Sequence, residues 1–125
     1  VNVDAQFSAV DGAVILRGGC YELVGHTDPW IAQSIWNGLQ NRTGFRPNTH
    51  DVMKDALNSF GIKVEMVKVV EIQNSTYMGR LILQQGNKIV SLDSRPSDAT
   101  AIAVRVGAPV YVKDEVLKAQ GRNVC

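Results

Sequence analysis

Residues 62–93 read IKVEMVKVVEIQNSTYMGRLILQQGNKIVSLD, and their alternation decides the fold class. Ile62, Val64 and Met66 alternate with Lys63 and Glu65, while Tyr77, Gly79, Leu81 and Leu83 alternate with Thr76, Met78, Arg80 and Ile82. A period of two belongs to β-strands, whose successive side chains point to opposite faces. Asn74-Ser75 and Gly86-Asn87 are turn pairs, so three strands joined as a meander are expected, the third over residues 88–93. The alternation slips near Met66-Val67 and again at Val69-Val70, which predicts one or two β-bulges. Apolar residues occupy both alternating sets between Tyr77 and Leu83, so both faces of this sheet are expected to be covered, one of them by a partner subunit.

Working outward, residues 1–10 alternate loosely, Asp11-Gly12 is a turn signal, and residues 13–16 form an apolar run ending at Gly18-Gly19. With residues 20–24 extended, this predicts a second meander at the start of the chain. Between the two meanders the period lengthens. Asp28 is placed to cap a helix, Pro29 suits its first position, and Ile31, Ile35 and Leu39 share a face with Trp30 and Gly38 beside it. Residues 41–47 are polar and broken by Gly and Pro. Val52, Met53, Ala56, Leu57 and Phe60 then mark the inward face of a second helix that stops at Gly61. Beyond Pro96, Ala99, Ile102, Ala103 and Val106 mark a third helix ending at Gly107, followed by a short strand over 109–112 and helical turns over 114–120. Strands clustered in hairpins predict an α+β fold: a mainly antiparallel or mixed sheet built from two three-strand meanders, with about four helices, in one domain over residues 1–125.

Composition narrows the function classes. Lys+Arg 13 against Asp+Glu 12 gives a net charge of +1, so the chain lacks the basic field of most nucleic-acid binders, and phosphate contacts must come from local clustering. No apolar run approaches the roughly 20 residues that span a bilayer, and the start carries no charged-then-apolar segment, so a soluble, cytoplasmic protein with no membrane partner is expected. Cys20 and Cys125 are the only cysteines and are expected to be incidental thiols, with an intermolecular bridge through Cys125 as the alternative. Walker, GxGxxG, HExxH, GxSxG and CxxC patterns are absent, which removes NTPase, dinucleotide-binding and zinc-enzyme readings. Trp30 and Trp36 lie on a helix and are expected to pack in the core or an interface.

Two polar clusters open helices: Arg46-Pro47-Asn48-Thr49-His50-Asp51 and Asp93-Ser94-Arg95-Pro96-Ser97-Asp98. Helix N-termini favour anions through their exposed N–H groups and dipole, and arginine adds a bidentate grip on phosphate or carboxylate. Capping accounts for Asn48 or Thr49, Asp51, Pro96, Ser97 and Asp98 without any function. No cap requires His50, Arg46 or Arg95. If the two helix starts converge, Asp51, Asp93 and Asp98 form an oxygen set for Mg²⁺ or Mn²⁺, His50 handles a proton, and Arg46 and Arg95 hold phosphate. His26, beside Gly25 in a loop, carries a weaker signal.

The strings RPNTHD (46–51), STYMGRLIL (75–83) and SLDSRPSDATAIAVRVGAPVYV (91–112), in this order, resemble the bifunctional nuclease domain family, also catalogued as a domain of unknown function, over nearly the whole chain. The resemblance implies a compact α+β fold, self-association with a dimer favoured, and nuclease activity on DNA and RNA. Carried onto this chain, it implies His50, Asp51 and Asp98 as catalytic, Arg46, Thr49, Arg95 and Ser97 as substrate-binding, and Asp51, Asp93 and Asp98 as ligands of a divalent ion. Asp28-Pro29 stands where the family commonly has Glu-Ala, which keeps the carboxylate but shortens it. The expected partner is nucleic acid, bound weakly and in a salt-sensitive way. The rival expectation is a non-enzymatic oligomeric module that binds a small anion or an acidic partner at the helix starts. A third is a purely structural domain whose polar strings are caps and salt bridges.

Overall fold

The computed structural model describes residues 1–73 and 76–125, and the turn expected at Asn74-Ser75 lies outside the described residues. The chain runs β1 (Asn2–Phe7), β2 (Gly12–Gly18), β3 (Tyr21–Thr27), α1 (Pro29–Leu39), α2 (Thr49–Ser59), β4 (Lys63–Gln73), β5 (Thr76–Gln85), β6 (Lys88–Ser94), α3 (Pro96–Val106), β7 (Val110–Val112), α4 (Asp114–Gln120) and β8 (Arg122–Asn123). The α+β expectation stands. Each meander gains one strand, giving two four-stranded sheets in the orders β1-β2-β3-β8 and β6-β5-β4-β7. All pairings are antiparallel except β4 with β7, which is parallel. Both expected bulges are present, as register shifts between Val64 and Met66 and between Val69 and Glu71. No helix among the described residues is long and apolar enough to cross a membrane.

Two helices join the sheets. α1 packs on β1 and β2 through Ile31 and Ile35, both fully buried, and lies against α3, which packs on β4 and β5. One apolar cluster runs through all of them, from Val14, Leu16 and Leu23 to Val67, Leu81 and Ile102. Gly38 sets the approach of α1 to α3: a Cβ there would lie 2.6 Å from Val104 Cγ2 and 2.9 Å from an Arg105 nitrogen. Only glycine allows so close a crossing, and the crossing brings Ser34, one turn earlier, against Arg105. Gly107 closes α3 in the left-handed region at φ 70°, as expected for a helix stop.

The structure corrects four expectations. Cys20 and Cys125 are joined by an intramolecular disulfide across 105 residues, not left as free thiols. β8 brings them together by pairing Tyr21 with Asn123 and Glu22 with Arg122, and the Val124 N–H donates to the Cys20 carbonyl at 2.8 Å. A two-residue strand is too short to show a period. α2 is rotated from its expected face: Leu57 is buried as expected, but His50 and Asp51 are buried with it, while Val52, Met53, Ala56 and Phe60 are exposed. The polar partners of His50 and Asp51 lie inside, and they decide the rotation. Asp28 makes no side-chain cap for α1, whereas Asn48 caps α2 in a reciprocal box with Asp51. Trp30, finally, is 51% exposed, which removes the core from its two expected places and leaves the interface.

Candidate functional site

The first turns of α2 and α3 meet through one carboxylate. Asp98 lies in the first turn of α3, and its two oxygens serve different partners: Oδ1 is 3.0 Å from His50 Nε2, and Oδ2 accepts from Arg95 at 2.7 Å. The other ring nitrogen, His50 Nδ1, is 2.7 Å from Ser34 Oγ on α1. Ser34 Oγ also accepts from Asn48 Nδ2 at 2.8 Å and from an Arg105 terminal nitrogen at 2.9 Å. A hydroxyl has two lone pairs and one proton. Both lone pairs are therefore taken, so the Ser34 hydroxyl donates to Nδ1. The imidazole proton then sits on Nε2 and is donated to Asp98.

A buried ion pair completes the arrangement. Arg105 donates from Nε to Asp51 Oδ1 at 2.7 Å and from a terminal nitrogen to the Ala101 carbonyl at 2.8 Å. Asp51 Oδ2 accepts the Asn48 backbone N–H at 2.9 Å, and the Asp51 N–H donates to Asn48 Oδ1 at 2.9 Å. Arg105 and Asp51 side chains are 5% and 10% exposed, so each charge depends on the other. Ser34 and Arg105 were not singled out from the sequence. The available signal was a serine on the buried stripe of α1, at i+3 from Ile31, and an arginine one turn after Ala101 inside an apolar helix.

Burial pulls the carboxyls of Asp51 and Asp98 up, and hydrogen bonds and charge outweigh it. For Asp51 the opposing partners are Arg105, the Asn48 N–H and Lys54; for Asp98 they are His50 and Arg95. Both groups end below the ordinary value of 3.8. A depressed native value means the unfolded chain binds more protons, so stability is intact above that ordinary value and is lost as pH falls through the native values. Chemical denaturation between about pH 3 and 7 is expected to show a flat plateau and an acid limb, and Asp51→Asn and Asp98→Asn each flatten that limb.

The expected residues separate into groups. Asp98 joins His50 to Arg95, while Asp51, next to His50 in sequence, bonds to Arg105 instead. Asp93 is exposed on β6, opposite Arg80, and takes part in none of these bonds. Thr49 is exposed at the first position of α2, and Ser97 is half-buried in the first turn of α3. Among the described residues no three His, Cys, Asp or Glu side chains come together as a ligand set. The oxygens of Asp51 and Asp98 already accept from guanidinium, imidazole and amide N–H groups, so this donor set does not suit a divalent ion.

Two cavities open beside the network. The larger, about 530 Å³, has Arg95, Ser97, His26 and Asp28 among its lining residues and an apolar floor that includes Leu23 and Tyr77. Burial pushes the Tyr77 phenol above its ordinary range, so it remains protonated. The smaller, about 240 Å³, is lined by Trp30, Arg42, Arg46, Asn48, Asp51 and Arg105. His50 lines neither and is 4% exposed.

The sequence profile of the bifunctional nuclease domain matches residues 25–124, four-fifths of the chain. The chain belongs to that family. Among its relatives is an uncharacterized protein of Mycobacterium tuberculosis, 40% identical over 96 residues, which are 74% of this chain and 57% of that protein. Bifunctional nuclease 2 of Arabidopsis thaliana is 37% identical over 82 residues, 63% of this chain and 25% of its own length. Bifunctional nuclease 1 of the same plant is 35% identical over a segment of equal length. The chain thus spans just over half of the mycobacterial relative and a quarter of the plant ones. In this bifunctional nuclease domain, both motif strings fall inside the matched residues and supply α2 and α3 with the groups that meet at Asp98.

Proposed function

We propose that this domain is a nuclease that hydrolyses phosphodiester bonds of DNA and RNA at the larger cavity. The observation that carries the reading is Arg95: its side chain is 64% exposed, lines that cavity, and is held through Nε and one terminal nitrogen by Asp98. The remaining terminal nitrogen has no partner among the described residues and is available to a nonbridging phosphate oxygen. His26 and Asp28 line the same cavity and are the groups there able to accept a proton. Water gives a proton to His26 and bonds to phosphorus, the bond to the departing oxygen breaks, and that oxygen takes a proton from solvent. In this reading His50, Asp51 and Asp98 are positioning residues. Ser34 orients His50, His50 and Asp98 hold Arg95, and Asp51 with Arg105 fixes α2 against α3. With a net charge of +1, binding is weak and falls with salt, and a dimer would double the arginines offered to one strand.

The test is cleavage of single-stranded RNA and plasmid DNA, with and without chelator, by the wild type and by Arg95→Ala, His26→Gln and His50→Gln matched in melting temperature. Arg95→Ala is expected to slow cleavage about 100-fold or more, and His26→Gln to slow cleavage by a similar factor while leaving binding of the strand unchanged. Equal cleavage by all four proteins overturns the reading. Binding without cleavage in every arm leaves the second reading, an anion-binding module, which the saturation of Asp51 and Asp98 by N–H donors favours.

A further inference from the structure

Trp30 stacks on His50 with ring centroids 5.9 Å apart and planes 16° from parallel. His50 lies beneath at 4% exposure while Trp30 is 51% exposed, so the second face of the indole is turned to solvent. Phe45, in the loop between α1 and α2, is 102% exposed. Trp30 lines the smaller cavity and Phe45 lies in sequence between Gly44 and Arg46, which line it too; two such large aromatic surfaces in water lose the burial that normally stabilises such side chains. Around them are Arg42 and Arg46. Arg46 has no acidic partner among the described residues, and Arg42 sits 5.6 Å over the Trp36 ring. Three arginines line the smaller cavity against one carboxylate, Asp51, which Arg105 already neutralises, so the surface carries surplus positive charge.

Aromatic faces flanked by guanidinium groups match a ligand that alternates flat rings with phosphates. In a duplex the faces of the bases are stacked on each other and hidden; only a single strand offers them. Proximity to Arg95 points the same way, because Trp30 stacks on His50, the buried His50 bonds to Asp98 at 3.0 Å, and Asp98 bonds at 2.7 Å to Arg95, which lines the larger cavity. We infer that Trp30, Phe45, Arg42 and Arg46 form a binding platform for single-stranded nucleic acid that leads to Arg95. The inference rests on the proposed nuclease reading and names its substrate class. A base stacks on Trp30, and the phosphates beside it reach Arg46 on one side and Arg95 on the other.

Fluorescence anisotropy with a labelled oligothymidylate, a duplex of equal length and inorganic polyphosphate tests this on the intact chain, with cleavage followed separately in the same samples. The wild type is expected to prefer the single strand. Trp30→Ala is expected to weaken that binding about 10-fold or more, with Trp30→Phe restoring most of it. Phe45→Ala, at a site that cannot affect packing, is expected to weaken it as well. A wild type that binds duplex or polyphosphate as tightly as the single strand overturns the platform. So does unchanged single-strand binding by both alanine variants at wild-type melting temperature. Aromatic-dependent binding without cleavage keeps the platform and removes the hydrolytic reading. Cleavage indifferent to both aromatics does the reverse.

Discussion

Replacing Arg105 by alanine lowers the unfolding free energy by about 3–5 kcal/mol, the range for removing one partner of a buried ion pair. The effect comes from what is left behind. Asp51, 10% exposed, loses its only guanidinium partner and stays charged in a poorly solvated place, and Ser34 loses one of its two donors. Urea denaturation measures it as a lower midpoint with an unchanged slope. The double variant Arg105→Met with Asp51→Asn is expected to be less destabilised than the sum of the two single changes, because no lone charge remains. A loss below about 1 kcal/mol for Arg105→Ala would mean that the pair behaves like an exposed one and that α2 is fixed by other contacts.

Opening the Cys20–Cys125 bond is the second large effect. The bond closes a loop of 105 residues, and constraining the unfolded chain over about that length contributes roughly 4–5 kcal/mol on the chain-entropy account. Few other contacts hold the end of the chain: β8 has two residues, both exposed, and its side-chain tie is the Arg122–Glu22 pair at 3.4 Å. Cys20→Ser with Cys125→Ser, compared with the oxidised wild type by guanidinium denaturation, is expected to shift the midpoint down by that amount. Wild type in reducing buffer should follow the double variant. Coincident oxidised and reduced curves would show that the bridge adds no stability.

The two meanders, the three long helices and both bulges of β4 were legible from periodicity, because a period of two and a period near four leave different marks within ten residues. A cap at Asn48 or Thr49 and the Gly107 stop were legible for a related reason: local hydrogen bonds need particular residues at fixed spacings. Contacts between distant segments left no such mark. Ser34 meets His50 from 16 residues away and Arg105 from 71, and nothing local to either residue points to the other. The disulfide and β8 were hidden in the same way. The motif residues His50, Asp51, Arg95 and Asp98 were found as a set, yet their separation into two networks depends on which way α2 rotates. The apolar pattern of that helix pointed the wrong way.

That rotation leaves α2 wearing its greasy side outward, with Val52, Met53 and Phe60 in water and the charge-bearing side locked within. Such a surface can be rewritten cheaply: lysine or glutamate at those three positions, 57%, 44% and 74% exposed, is expected to cost little, while conservative swaps at His50 or Asp51 reach the centre of the molecule. For anyone redesigning the domain, the oily residues of this helix are the ones free to change, and the polar ones are its keystones.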